Sequence, residues 1–434
     1  MKKYKTYKNS KIEWFGEIPE HWELKILKRE FKFSTGFTPP SGRSEYYENG
    51  NNTWVTISDM KNKYVHNSRT KITAKAVEDY KPTLLPINSL LYSFKLSVGK
   101  VSFNTKELYT NEAILAILPD KEINLNFFYY SLPLQLINNA NENIYGAKIL
   151  NQELIKNSFL LIPPKEEQNA ISNYLDKKTA EIDDLITEKK VLLKLYEKEK
   201  EIIINQAVTK GIKPDVKLKD SGFEYIGQIP KQWNIKKLRY LGECSNGISK
   251  SGDQFGFGFP FVSYSDVYKN RILPDCVDGL VNSSDSDKIT YSVIKGDVLF
   301  TRTSETVEEI GLTSTCIQTI EEAVFAGFLI RFRPSKNLLF AGFSKYYFSA
   351  QIHRRFFIKE MNLVTRASLS QELLKRLPVV LPTFDEQKEI ARYLDDYILD
   401  INLKLKKTKK LINLLKEYKA VLISEVVTGK IKIN

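Results

Sequence analysis

Leu161-Ile162-Pro163-Pro164-Lys165-Glu166-Glu167-Gln168 and Val380-Leu381-Pro382-Thr383-Phe384-Asp385-Glu386-Gln387 are two versions of one phrase, and the long stretch behind each of them decides the fold. Proline suits the opening of a helix, where its missing N–H has no partner to lose. Behind each phrase come about 45 residues free of Gly and Pro and rich in Leu, Ile, Lys and Glu, which predicts a helix roughly 67 Å long. Apolar residues recur in the first stretch with the 3/4 spacing of a heptad seam: Ile171, Leu175, Ile182, Leu185, Leu192, Tyr196 and Ile203, with Lys178, Lys189 and Glu199 interrupting. The same positions of the second stretch hold Ile390, Leu394, Tyr397, Ile401, Lys404, Thr408, Leu411, Leu415, Tyr418 and Leu422. One apolar stripe does not sustain a helix of that length alone, so the simplest solution packs the two stripes on each other. A stripe lying against its own domain is the alternative, and the seam by itself does not choose between parallel and antiparallel pairing.

Working outward, the whole chain repeats. Residues 12–25, which contain Trp14-Phe15-Gly16-Glu17-Ile18-Pro19-Glu20-His21-Trp22, return at 223–236 as a segment containing Tyr225-Ile226-Gly227-Gln228-Ile229-Pro230-Lys231-Gln232-Trp233. Residues 54–59 return at 261–266, and 143–209 align without gaps on 362–428. The drift between matches requires about 12 extra residues in the middle of the second copy, between Val267 and Asn362. The ends of the copies agree and the middles differ, as expected of one scaffold carrying two different variable regions. About 150 residues of turn-punctuated, strand-like sequence precede each helix, with strands expected at 53–57, 90–94, 113–118, 297–301 and 324–331. Segments 125–136 and 340–357 read as helices, and 35–42 and 246–258 as turn clusters. The expected class is α+β, with curved sheets: a domain at 1–163, a spacer helix at 164–210, a second domain at 211–382, a second helix at 383–428 and a tail at 429–434.

The 434 residues carry 65 Lys+Arg against 52 Asp+Glu, a surplus of +13 that points to a polyanionic partner, nucleic acid first. Three His and three Cys are too few and too scattered for a zinc finger, zinc protease or zinc deaminase. The cysteines, with no signal peptide at the charged N-terminus, suggest free thiols in a cytoplasmic protein, and no apolar run approaches the length needed to span a bilayer. There is no phosphate-binding loop, no dinucleotide glycine fingerprint, no Pro-Asp…Asp/Glu-x-Lys nuclease pattern and no Asn-Pro-Pro-aromatic element. No catalytic residue and no metal ligand are therefore assigned, and His21, whose counterpart is Gln232, is expected to be structural.

Basic and aromatic residues interleave after the matched Ser-Asp in both copies, as Lys61, Lys63, Tyr64, His66, Arg69 and Lys71 in the first and Tyr264, Tyr268, Lys269 and Arg271 in the second. Lys and Arg can hold phosphates, and Arg can read guanine through two parallel hydrogen bonds. The candidate DNA-binding residues are Lys61, Tyr64, Arg69, Lys95, Lys100, Lys148, Tyr264, Lys269, Arg271, Arg302 and Arg366. Each alone reads more simply as a solvated charge; their equivalent placement in the two copies is what singles them out.

Over essentially its whole length the sequence resembles the specificity subunits of type I restriction-modification systems, through the Trp-bracketed segment and the Pro-x-x-x-Glu-Gln phrase, each present twice before or after a variable domain. The resemblance implies two target recognition domains, each reading half of a split sequence in double-stranded DNA, and two antiparallel helices that set the gap with pseudo-twofold symmetry. Half-sites about one helical turn apart follow from duplex geometry. It further implies modification subunits, two in number, that use S-adenosylmethionine on a flipped adenine, and a motor-nuclease restriction subunit that uses ATP and magnesium, with no cofactor in this chain and no membrane partner. The competing readings are a coiled-coil scaffold without DNA specificity and the recognition part of a fused restriction enzyme.

Overall fold

The computed structural model describes residues 2–95, 97–142, 148–304, 309–360 and 367–433. The chain divides into two compact units, one built from Met1–Glu188 with Leu411–Asn434, the other from Lys189–Lys410. The boundaries cut through both long helices.

The core of the first unit is a five-stranded sheet in the order Phe33–Thr35, Ile114–Ile117, Leu90–Ser93, Val101–Asn104, Tyr64–Val65, antiparallel except for the last, parallel pair. Its central strands, Ile114–Ile117 and Leu90–Ser93, are buried at every position, which is why their sequences run apolar instead of alternating. A three-stranded sheet, Tyr109–Thr110, Asn52–Val55 and Lys71–Ile72, carries the matched strand that ends ahead of Ser58-Asp59. The second unit repeats the plan: Gly242–Asn246, Leu329–Pro334, Val298–Thr301 and Thr313–Thr315 form an antiparallel sheet, and Ile272 bridges Thr315 in parallel, as Tyr64–Val65 does to its neighbour in the first unit. In both units the strand after the Trp segment pairs with the strand just before the long helix, Glu23–Ile26 with Phe159–Ile162 and Asn234–Lys237 with Pro378–Leu381. The repeated ends of each copy thereby close on each other and leave the variable middle as an inserted domain.

Three expectations are corrected. Segment 324–331 is not one strand but the end of Ile320–Phe325 and the start of Leu329–Pro334, divided by a turn in which Leu329 N–H donates to the Ala326 carbonyl at 2.9 Å. Segment 340–357 is two helices, Ala341–Tyr347 and Ile352–Glu360. Part of the 246–258 turn cluster is strand, Phe255–Val262, with Gly256 and Gly258 at φ of 94° and 96°, a conformation open to glycine.

The long helices run Lys165–Lys210 and Phe384–Val427 and pair antiparallel in each unit. In the second unit Lys200 meets Asn402 at 3.1 Å while Lys213 meets Glu389 at 3.2 Å, so one number rises as the other falls. In the first unit Lys419 meets Asp183, and Lys432 at the chain's end lies over the Tyr4 ring whose hydroxyl donates to Glu167.

The buried stripe differs from the heptad seam. Ile171, Leu175, Ile182, Ile390, Leu394, Ile401 and Leu422 are buried, and Leu192, Ile203 and Leu415 are half-buried. Leu185 and Leu411 are 42 % and 41 % exposed, and their neighbours Ile186 and Ile412 are buried in their stead. Ile390, Ile401 and Ile412 recur every eleven residues, as do Ile171 and Ile182. A straight helix of 3.6 residues per turn tracks an eleven-residue repeat better than a seven-residue one, so the strict heptad slots rotate out of the interface along the helix. The stripes also pack on the domains, since Ile204, Val208, Ile390 and Leu394 share one core with Trp233, Phe332 and Tyr347.

Candidate nucleic-acid interface

The Glu-Gln of each repeated phrase is an anchor. Glu167 accepts from the Trp22 indole at 3.0 Å and the Tyr4 hydroxyl at 2.8 Å, and pairs with His21 Nε2 at 2.5 Å. Burial alone would raise its pKa, but the hydrogen bonds from His21, Tyr4 and Trp22 together hold it below the ordinary carboxylate value. Glu386 does the same in the second unit, accepting from the Trp233 indole at 3.2 Å and from the Thr383 amide and hydroxyl at 3.0 and 2.9 Å. Gln168 Nε2 donates to the Pro163 carbonyl while its Oε1 accepts from Asn124 N–H; Gln387 likewise spans Pro382, Leu338 and Phe340. His21 and Gln232 are thus both ligands of an anchoring carboxylate, a structural role.

A cleft lies between the domain and its helices in the first unit, and a smaller pocket lies within the domain of the second. In the first unit the cleft is about 1000 Å³ and is lined by Lys61, Lys63, Tyr64, Lys100, Tyr129 and Tyr130 from the domain and Asp176, Asp183 and Lys419 from the helices. Asp176 is its fixed point: Lys63 Nζ lies 2.6 Å away, the Tyr130 hydroxyl donates at 2.5 Å, and Lys63 sits 5.1 Å from the centre of the Tyr129 ring. Burial first, then the bond to Asp176, raises the Tyr130 pKa, so its phenol stays protonated. In the second unit Asp395 takes Lys345 Nζ at 2.5 Å and the Tyr346 hydroxyl at 2.6 Å, and the Arg271 guanidinium covers the Tyr346 ring at 5.6 Å. Both units therefore build an Asp–Tyr–cation cluster, although the cation bound to the carboxylate comes from the loop after the matched strand in one and from the tyrosine's own helix in the other. Beside the second cluster a pocket of about 200 Å³ is lined by Tyr268, Lys269, Asn270, Arg271, Thr313 and Arg354, with buried His353 at its wall.

Of the eleven candidate DNA-binding residues, Lys61, Tyr64 and Lys100 meet in the first cleft, and Lys269 and Arg271 in the second pocket. Tyr264 stacks on Tyr268 at 6.0 Å, in the short helix Tyr264–Lys269. Arg69 and Lys95 are exposed and Arg302 half-buried, and none of the three lines either cavity. Arg366 and the side chain of Lys148 lie outside the described residues. Sequence reasoning missed Tyr129, Tyr130, Asp176, Lys419, Lys200, Tyr346 and Asp395; the signal that could have found Asp176 and Asp395 is their matched position in the gapless alignment of the two helices. Among the described residues no group of His, Cys, Asp and Glu could hold a metal ion, and no helix is long and apolar enough to cross a membrane.

Comparison with known proteins accords with this architecture. The family model of the type I restriction modification DNA specificity domain matches twice, at residues 19–195 and 230–414. The MjaIX specificity subunit of Methanocaldococcus jannaschii is 26 % identical over 62 % of this chain and 63 % of its own length. The EcoBI specificity subunit of Escherichia coli is 24 % identical over 63 % of this chain and 58 % of its own, so the chain spans less than two thirds of either relative. The putative MjaX specificity subunit, also from M. jannaschii, is 24 % identical over 100 % of this chain and 98 % of its own. Among solved structures, the HsdS subunit from Thermoanaerobacter tengcongensis superposes with a TM-score of 0.59 at 15 % identity, covering 95 % of this chain and 98 % of that one. A chain from a study of type I R-M complex assembly reaches 0.70 at 14 % identity, covering 95 % and 99 %, and these likenesses bear on the fold. With both copies of its repeat matched, the chain belongs to the type I restriction-modification DNA specificity family.

Proposed function

We propose that this chain is the DNA-reading subunit of a type I restriction-modification complex, binding a bipartite target in double-stranded DNA with one cleft-bearing domain per half-site. The observation that carries the reading is the cluster of cations and tyrosines set twice on equivalent helix aspartates, next to the two basic-aromatic stretches. Cations beside aromatic faces suit a polyanion whose bases must also be contacted. Equivalent clusters on the two copies of one repeat suit a target read as two half-sites, for which a spacing of about one turn follows from duplex geometry.

The chain itself is proposed to be non-catalytic. Two modification subunits carrying S-adenosylmethionine would supply adenine methylation, and a restriction subunit using ATP and magnesium would supply cleavage. Exposed helix residues such as Leu195, Leu399 and Leu403 of the second unit offer apolar contacts for such subunits. The complex works on chromosomal DNA in this reading, which puts it in the cytoplasm.

The test is a domain exchange. Replacing residues 30–160 with another family member's first domain should change one half of the bound sequence, read by methylome sequencing of a strain carrying the chain and its modification partner. A change in both halves, or methyl transfer by the purified chain alone with S-adenosylmethionine, overturns the reading. A scaffold without DNA specificity would show no salt-dependent gel shift in the assembled complex.

A further inference from the structure

The repeat provides an internal control for one pair of helix residues. In the gapless alignment Lys200 corresponds to Lys419, and Asn402 to Asp183. Lys419 Nζ reaches both carboxylate oxygens of Asp183, at 2.7 and 2.6 Å, and is neutralised within its own unit. Lys200 Nζ reaches only the amide oxygen of Asn402, at 3.1 Å. An uncharged group of the same shape stands where the other copy has a carboxylate.

Lys200 also has a cationic neighbour. Burial first, then the charge of Arg271, holds the Lys200 pKa below its ordinary value, and burial does the same to Arg271. Glu197 acts on both cations and Glu201 on Arg271, yet both glutamates are exposed, and among the described residues neither Lys200 nor Arg271 has an ion-pair partner within 4 Å. Two neighbouring, partly desolvated cations repel unless an anion joins them. Among the described residues, the pocket that Arg271 shares with Lys269 has no Asp or Glu in its lining, and the nearby Glu309 carboxylate accepts from the Tyr268 hydroxyl at 2.8 Å, so an anion carrying further charges suits this side of Arg271.

We propose that Lys200 and Arg271 bind one backbone phosphate of the DNA, which supplies Lys200 with the negative charge that the Asp183 carboxylate supplies to the equivalent lysine of the other unit. The inference rests on the DNA-reading function proposed above and deepens it: the two halves of the protein contribute unequally to electrostatic binding. The Lys419 site carries its own carboxylate and makes no such contact.

The experiment is a reciprocal charge exchange at exposed Asp183 and Asn402 and half-buried Lys200, followed by DNA binding of the assembled modification complex across a salt series. Asn402→Asp should lower affinity roughly five- to tenfold and make the slope of log K against log salt shallower by about one; Lys200→Gln should act likewise, and Asp183→Asn should steepen the slope by up to about one. Wild-type affinity and slope in both Asn402→Asp and Lys200→Gln, with the wild type itself binding, overturn the phosphate site and leave the DNA-reading function standing. Loss of modification-subunit assembly in Asn402→Asp, with normal DNA binding in what does assemble, assigns the cations to a protein carboxylate and also overturns it. A wild-type complex that does not bind DNA removes the underlying reading, and this proposal with it.

Discussion

Glu167 and Glu386 show how one side chain can make a sequence phrase recur. Each accepts from the indole of a tryptophan about 150 residues earlier, and both tryptophans are fully buried. Glu167→Gln keeps the shape but not the charge that three donors address, and should cost about 1–2 kcal/mol in denaturant unfolding of the first unit. Since the folded pKa of Glu167 lies below its unfolded value, its contribution is present above the unfolded carboxylate pKa and is lost as pH falls through the folded one. His353 gives a second acid-sensitive term. Its ring is buried against Tyr347 and Phe348, at centroid distances of 4.7 and 6.2 Å, and burial lowers its pKa from 6.5 to about 4. The neutral ring suits the fold, so the stability it allows is complete above pH 6.5 and declines as pH falls toward 4, by an upper estimate of about 3 kcal/mol. His353→Leu should flatten this part of the profile; an unchanged difference between pH 7 and pH 4.5 in the two proteins would contradict the assignment.

At the scale of elements, the long helices were legible in outline. Their positions followed from composition and from the proline-bearing phrases, and the structure gives 46 and 44 residues. Their buried face was not, because a heptad and an eleven-residue repeat coincide over the first turns and diverge only farther along, where Ile186 and Ile412 replace Leu185 and Leu411. Ile186→Ala should therefore destabilise by about 2–4 kcal/mol, while Leu185→Ala should stay within about 0.5 kcal/mol, in matched thermal or denaturant melts. Equal effects would restore the heptad seam. The break in 324–331 falls at Gly327, a lone glycine between apolar residues that a strand can also carry, and the break in 340–357 falls at Ser349, Ala350 and Gln351, none of which bars a helix, so neither break is marked by composition.

At the scale of the whole molecule, the first unit is discontinuous, its last part supplied by Leu411–Asn434. That segment buries Ile412, Leu422, Val426 and Val427, and its final turn brings Gly429, at φ 72°, against Pro19 and Trp22. Ending the chain at Lys410 should thus destabilise residues 1–188 although it removes none of them, seen as faster hydrogen exchange in the strands Leu90–Ser93 and Ile114–Ile117. Protection unchanged in those strands would show that the first unit does not depend on the chain's end.

The sequence by itself determined the duplication, the two long helices, the α+β class, the family and the stretches in which basic and aromatic residues gather. These are local patterns, or similarities between patterns, and need no knowledge of which distant residues meet. Only the tertiary structure decided the antiparallel pairing within each unit, the face each helix buries and the identity of the cations at the clefts. Lys63 finds Asp176 across 113 residues and Lys419 finds Asp183 across 236. In the second unit the corresponding aspartate takes its lysine from a helix instead of a loop. The physical reason is that a carboxylate on a helix can be satisfied by any cation that packing brings within reach, and packing is set by the shapes of whole sheets and helices, not by spacing along the chain.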